Sequence, residues 1–138
     1  MGKAVTNQTR SRRPGTHATD ISLFFNAVSN QLLSKLMQDT QLSQKSLAFV
    51  FAMTEKTFSS YRNSDRKLNP LTAELAIKIM ELYEHGKETF GSLKRFQQWM
   101  TLPAPGLNRR VPFELIQTVT GVGMVMDELL AIEHGMPI

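Results

Sequence analysis

The chain has 138 residues, of which 41% are hydrophobic, a net charge of +4 and no cysteine. This length accommodates one domain, or two small domains that share an interface. The lack of cysteine excludes disulfides, thiol nucleophiles and cysteine-ligated metals, and it fits a reducing compartment. No apolar run approaches 18 residues and the N-terminus has no hydrophobic signal region, so we expect a cytoplasmic protein without a membrane partner.

Charge is distributed unevenly along the chain. Residues 1–19 hold four basic side chains and no acidic one, residues 43–67 hold five bases and two acids, and residues 112–138 hold four acids and no Lys or Arg. A chain that is basic at one end and acidic at the other is expected to have two kinds of partner. We interpret residues 1–19 as a flexible basic arm that follows DNA, or alternatively as a solvated tail.

Apolar residues at helical spacing predict an all-α fold, beginning with a helix from a cap at Asp20 to about Gln38. Residues 44–65 then fit a helix-turn-helix, with small Ala48 where the helices cross, Ala52 at the turn and apolar Phe58 where the second helix packs back. Thr54 occupies the N-cap position of that second helix. The spacing resembles the Xre-type DNA-binding unit, although a glycine is usual at the turn.

If the second helix reads DNA, Arg62 or Asn63 would contact base edges, and Lys45, Arg66 and Lys67 would contact phosphates. The alternative is a structural helix pair with a solvated basic face. The predicted DNA-binding residues are Lys45, Thr54, Lys56, Thr57, Ser59, Ser60, Arg62, Asn63 and Arg66.

A fourth helix should begin at the Asn69-Pro70 cap and end at Gly86, which would close a DNA-binding domain over residues 20–86. Its predicted buried side consists of Leu71, Leu75, Ile79, Leu82 and Tyr83.

Residues 87–138 are predicted to form a second domain of three short helices. In the first, Leu93, Phe96, Trp99 and Met100 share one face, and prolines then stop the helix. Pro112 begins the second, through about Gln117, and Thr120 caps the third, which ends at Gly135. We interpret Gly121 and Gly123 as glycines that allow close packing at the start of that helix.

Signatures of catalysis are absent from the sequence. The three histidines, His17, His85 and His134, have no metal-ligand spacing, and there is no P-loop or nucleophile elbow. We therefore expect no enzymatic activity, no metal and no cofactor.

The C-terminal residues also resemble a known family. The resemblance rests on Phe90-Gly91, Trp99-Met100 with Pro103, the segment LNRRVP over residues 107–112, and Ile132-Glu133-His134-Gly135. This pattern is similar to the toxin-binding domain of Xre/MbcA/ParS antitoxins, in which a Trp-Leu pair, a Leu-x-Gly-x-x-Pro turn and a terminal Ile-x-His-Gly segment recur. Met100 stands where leucine is usual, and Arg109 where glycine is usual.

The resemblance implies an antitoxin that blocks the active site of a RES-domain, NAD-consuming toxin and represses its own operon by binding operator DNA. We expect a homodimer within a toxin–antitoxin complex, because such repressors read paired half-sites. The alternative is a stand-alone helix-turn-helix repressor without a toxin partner. The predicted toxin-binding residues are Arg109, Arg110, Glu128, Ile132, Glu133, His134, Gly135 and Met136.

Overall fold

The computed structural model describes residues 29–135, and this range is helical, as predicted. Its only β-structure is an isolated bridge between Ala104 and Arg110. The predicted arm, the cap at Asp20, the start of the first helix and Met136 lie outside the described residues. The elements are α1 (Ser29–Thr40), α2 (Gln44–Val50), α3 (Glu55–Arg62), α4 (Pro70–Phe90), α5 (Leu93–Met100), a 3-10 turn (Pro105–Leu107), α6 (Pro112–Leu115) and α7 (Val119–Glu133).

Side-chain caps set where most of these helices begin. At Ser43, Thr54, Asn69, Ser92 and Thr118, a side-chain oxygen accepts a hydrogen bond from the backbone N–H three residues later. The caps predicted at Thr54 and Asn69 are confirmed. The cap predicted at Thr120 is wrong, because the Thr118 hydroxyl accepts from the Gly121 N–H at 2.9 Å and thereby starts α7 two residues earlier.

Helix α4 is the centre of the fold and packs against α1, α5 and α7. Ile79, Leu82 and Tyr83 are buried, as predicted. The prediction that Leu71 is buried is wrong, because Leu71 lies in the first turn of the helix and is 76% exposed. Burial raises the pKa of Tyr83 above its ordinary value, so its phenol stays neutral.

Gly86 does not end α4, contrary to the prediction. The helix continues to Phe90 and ends at Gly91, which has φ +85°. Gly86 is buried inside the helix because it faces the ring of Phe96: a Cβ at this position would lie 2.3 Å from that ring. The glycine therefore allows α5 to pack closely on α4, and α4 runs without a break across residues 86 and 87.

The C-terminal helices form an aromatic part of the core. Phe96, Trp99 and Met100 are buried, as predicted for α5. The Phe96 ring meets Tyr83 edge-on with centroids 5.0 Å apart, and Phe90 lies 5.5 Å from Trp99. Helix α6 is shorter than predicted and ends at Leu115.

Three contacts join the helix-turn-helix side of the molecule to the C-terminal side. Gln97 Nε2 donates to the carbonyl oxygen of Thr40 at 2.8 Å, and Gln117 Nε2 donates to that of Phe49 at 2.7 Å. The rings of Phe49 and Phe113 stack with centroids 5.8 Å apart. These contacts fix α1 relative to α5, and α2 relative to α6. Within residues 29–135, no helix is long and apolar enough to cross a membrane.

Candidate functional site

The turn between α2 and α3 has the geometry of a helix-turn-helix. Ala48 and Phe58 are buried where the template needs a helix crossing and a packed second helix. After α2, Met53 N–H donates to the Ala48 carbonyl and Ala52 N–H to the Phe49 carbonyl, which is the hydrogen-bond pattern of a Schellman motif. Ala52 consequently has φ +56°, a conformation that favours glycine. The alanine therefore adopts the usual turn at some cost in backbone strain.

The predicted DNA-binding residues lie on or beside α3. Five of them are exposed, namely Lys45, Thr54, Lys56, Asn63 and Arg66, and four are half-buried, namely Thr57, Ser59, Ser60 and Arg62. The Thr54 hydroxyl serves as the α3 cap, accepting from Thr57 N–H at 3.1 Å. Its role in the structure is thus to begin the helix.

Several of these side chains are held by contacts within the protein. Arg62 Nη1 lies 3.5 Å from Gln44 Oε1, and Asn63 Nδ2 donates to Ser59 Oγ at 3.0 Å. Arg66 donates to Ser60 Oγ at 3.0 Å, and its guanidinium lies 4.0 Å from the centroid of the Tyr61 ring. The C-terminal end of α3 is therefore organised before any partner binds, while Lys45 and Lys56 project from the surface.

Residues 104–110 form a closed loop on the C-terminal side. Ala104 N–H donates to the Arg110 carbonyl at 3.0 Å, and Arg110 N–H donates to the Leu107 carbonyl at 3.0 Å. The two residues between, Asn108 and Arg109, have φ +60° and +65°, as in a type I′ turn. Arg109 thus takes the left-handed conformation of the usual glycine, and the side chains of Arg109 and Arg110 are exposed.

Glu128 was predicted to contact a partner, but the structure places it inside. The residue is only 9% exposed and its carboxylate covers Gly106, where a Cβ would lie 2.0 Å from Oε1. Only a glycine at 106 leaves room for this carboxylate. Glu128 therefore supports the 3-10 turn that precedes Arg109, and it does not present a charge at the surface.

The end of α7 is fastened to α4. Glu133 accepts a short hydrogen bond from Thr89 Oγ1, and its Oε2 also lies 2.8 Å from His85 Nε2, although without the alignment of a hydrogen bond. His134 is the C-cap of α7, and its Nδ1 donates to the Leu130 carbonyl at 2.7 Å. Ile132 is half-buried against the core.

Four of the predicted toxin-binding residues within the described range are exposed and are not held by the side chain of another described residue. They are Arg109, Arg110, His134 and Gly135. No hydrogen bond or ion pair between residues 29 and 135 joins the two arginines to the end of α7. The structure thus separates the set into an arginine turn and a helix end.

Sequence reasoning missed the residues that connect elements far apart in the chain. Gln97, Gln117 and His85 make contacts across 57, 68 and 48 positions. In the sequence, nothing about a polar residue beside an apolar stripe predicts which distant residue it contacts. Phe49 could have been noticed, because it is a large apolar residue on the polar side of α2, and it is 47% exposed.

The acidic and histidine side chains do not gather into a metal site in the part of the chain that the structure describes. The arrangement consists instead of two surfaces on one helical scaffold: a helix-turn-helix, and a C-terminal unit that presents a turn and a helix end. The described residues thus form a helical fold with two exposed candidate binding surfaces.

Comparison with known proteins identifies the C-terminal unit. Residues 85–135 match the family model of the antitoxin Xre/MbcA/ParS C-terminal toxin-binding domain. This match confirms the resemblance of the C-terminal residues to the Xre/MbcA/ParS toxin-binding domain that was seen in the sequence.

A curated relative is similar over a longer stretch. An 82-residue segment is 28% identical to a protein of Yersinia enterocolitica named antitoxin Xre, and the segment covers 59% of this chain and 55% of that protein. The match thus spans about half the length of the relative.

Proposed function

We propose that this protein is the antitoxin of a toxin–antitoxin pair, and that it binds and blocks the active site of a RES-domain, NAD-consuming toxin. The observation that carries the proposal is the match of residues 85–135 to a toxin-binding domain, together with the compact helical unit that these residues form. The antitoxin performs no chemistry itself, because blocking requires only shape and charge.

Charge supports the same partner. The last 27 residues contain four acids and neither Lys nor Arg, and three of the acids, Glu114, Asp127 and Glu133, are exposed. A pocket that binds the phosphates of NAD is expected to be electropositive, and an acidic segment is complementary to it. The proposed contacts are Arg109 and Arg110 on their turn, and His134, Gly135 and Met136 at the chain end, with Glu128, Ile132 and Glu133 holding these elements in place.

We propose further that α3 reads operator DNA as part of a homodimer and represses the operon of the pair. The Schellman turn and the Thr54 cap support this role, because they fix the start of α3 relative to α2, as a helix-turn-helix requires. Lys56 is the best residue to mutate, because its side chain is exposed. Arg62 is a poorer choice, because Arg62→Ala would also remove a contact with Gln44 inside the protein.

The toxin interaction can be tested by measuring binding to an inactive form of the RES-domain protein encoded beside this gene. We expect the full chain to bind tightly and a chain that ends after Gly135 to fold normally but to neutralise poorly. This truncation keeps Glu133, which contacts α4, and so separates a lost contact from a lost fold. Full protection of toxin-expressing cells by the shortened chain would refute the role of the terminal residues.

The DNA interaction is tested by operator binding across salt concentrations. Lys56→Ala should weaken binding by about 1–3 kcal/mol if it contacts a base, or reduce the salt slope by about one if it contacts a phosphate. Unchanged affinity would reject α3 as the reader. A chain that binds operator DNA but never the RES-domain protein would instead be a stand-alone repressor.

A further inference from the structure

The outer face of α7 is unusually apolar for a helix exposed to solvent. Three of the six large apolar side chains that are exposed within residues 29–135 lie on this helix: Val119 (38%), Met124 (42%) and Leu130 (39%). Across the same face, Asp127 is the only charged residue, whereas the solvent side of a surface helix is normally charged. Single exposed apolar residues need no explanation, but a group on one face indicates an interaction surface.

Gly123 lies in the middle of this face. Nothing in the described part of the chain comes within 4 Å of a Cβ built there, so the fold does not require a glycine. The prediction that Gly123 serves close packing inside the chain is therefore wrong, and it holds only for Gly121. A glycine inside an exposed helix weakens that helix relative to alanine. A flat spot of this kind between Val119 and Asp127, its neighbours one turn before and after on the same face, instead admits the close approach of another backbone.

We infer that this face, formed by Val119, Gly123, Met124, Asp127, Leu130 and His134, is a docking surface for the toxin, separate from the chain end that blocks the active site. The inference rests on the proposed function and deepens it. The toxin surface that fits is a shallow apolar depression with a Lys or Arg opposite Asp127.

Charge favours this occupant over a second copy of the chain. The one charged side chain on the face is the acid Asp127, so a second copy of the same face offers it no Lys or Arg to pair with. A toxin surface that carries a basic side chain opposite Asp127 would pair with it. The face also lies within residues 85–135, the range matched by the toxin-binding domain, and it ends at His134, beside the proposed blocking segment.

The test is Gly123→Leu in the full chain, with binding measured against the inactive RES-domain protein. The added side chain has open space in the free protein, so thermal unfolding should be unchanged or shifted upwards. Binding should weaken by about 30-fold or more, as for a blocked interface centre. Asp127→Lys should weaken binding by about tenfold or more, because it reverses the complementary charge. Ser34→Leu, at another exposed helical site on α1, should leave binding unchanged.

The outcomes separate the two proposals. If the wild-type chain fails to bind the RES-domain protein, the proposed function is overturned and this assignment with it. If the wild-type chain and Gly123→Leu bind equally well, the docking surface alone is overturned. A loss of the homodimer in light scattering with toxin binding retained would also overturn it, and would show that the face joins two copies of the chain.

Discussion

Two glycines in the same helix should respond in opposite ways to the same substitution. Gly121→Ala places a Cβ 1.6 Å from the backbone carbonyl oxygen of Leu115, whereas Gly123→Ala meets nothing within 4 Å. The clash at position 121 is with backbone, which cannot rotate aside. Relieving the clash requires the start of α7 to move away from Leu115.

The balance between helix propensity and overpacking decides whether each substitution raises or lowers the free energy of unfolding. Alanine favours a helix over glycine by up to about 1 kcal/mol at either position. Overpacking in a well-packed site costs about 1–3 kcal/mol or more, and a backbone contact belongs at the upper end. We therefore expect Gly121→Ala to lower the free energy of unfolding by about 2 kcal/mol, and Gly123→Ala to raise it by about 0.5–1 kcal/mol.

Thermal unfolding of the full chain, followed by circular dichroism, measures the pair directly. The two midpoints should differ by about 10 °C, since 1 kcal/mol corresponds to a few degrees in a domain of this size. Equal stabilities of the two variants would show that α6 does not pack against Gly121 as the structure places it, and the reasoning would fail.

Three further predictions follow from strained turns and from the end of α7. Arg109→Gly should raise the free energy of unfolding by about 0.5–1 kcal/mol, because φ +65° suits glycine. The same substitution should weaken neutralisation, because it removes a proposed contact. A lower free energy of unfolding in this variant would contradict the turn geometry. Ala52→Gly should stabilise the chain by a similar ~0.5–1 kcal/mol, whereas Ala48→Gly, inside buried α2, should destabilise it by about 1 kcal/mol; chemical denaturation distinguishes them. A double-mutant cycle of His85→Ala and Glu133→Gln should show a coupling of about 0.5–1 kcal/mol for these half-exposed groups, and additive effects would mean that the contact contributes nothing.

Local signals predicted much of this structure. Thr54 and Asn69-Pro70 begin helices because capping depends on only a few neighbouring residues. The stripe of Phe96, Trp99 and Met100 is buried because helical periodicity alone aligns it. The same local reasoning explains why a turn was expected at Ala52 and near Arg109.

Contacts between distant elements account for the failures. Gly86 has the composition of a helix end, but α5 brings Phe96 against it and makes it a packing site instead. Leu71 continues an apolar stripe, but no element covers the first turn of α4 on that side in the described chain, so it stays exposed. From the sequence, Glu128 and Glu133 are expected to be surface acids. Only the tertiary structure shows that Glu128 lies against Gly106 and that Glu133 contacts α4.

The central claim is that this chain silences a toxin by binding it, and NAD consumption tests that claim most directly. The proposed partner, a RES-domain protein sought in the gene next to this one, would be assayed alone and with increasing amounts of the full chain. The account predicts that NAD consumption falls to background as the chain saturates its partner, and that the activity returns when the chain is removed. Undiminished NAD consumption in the presence of excess folded chain would contradict it.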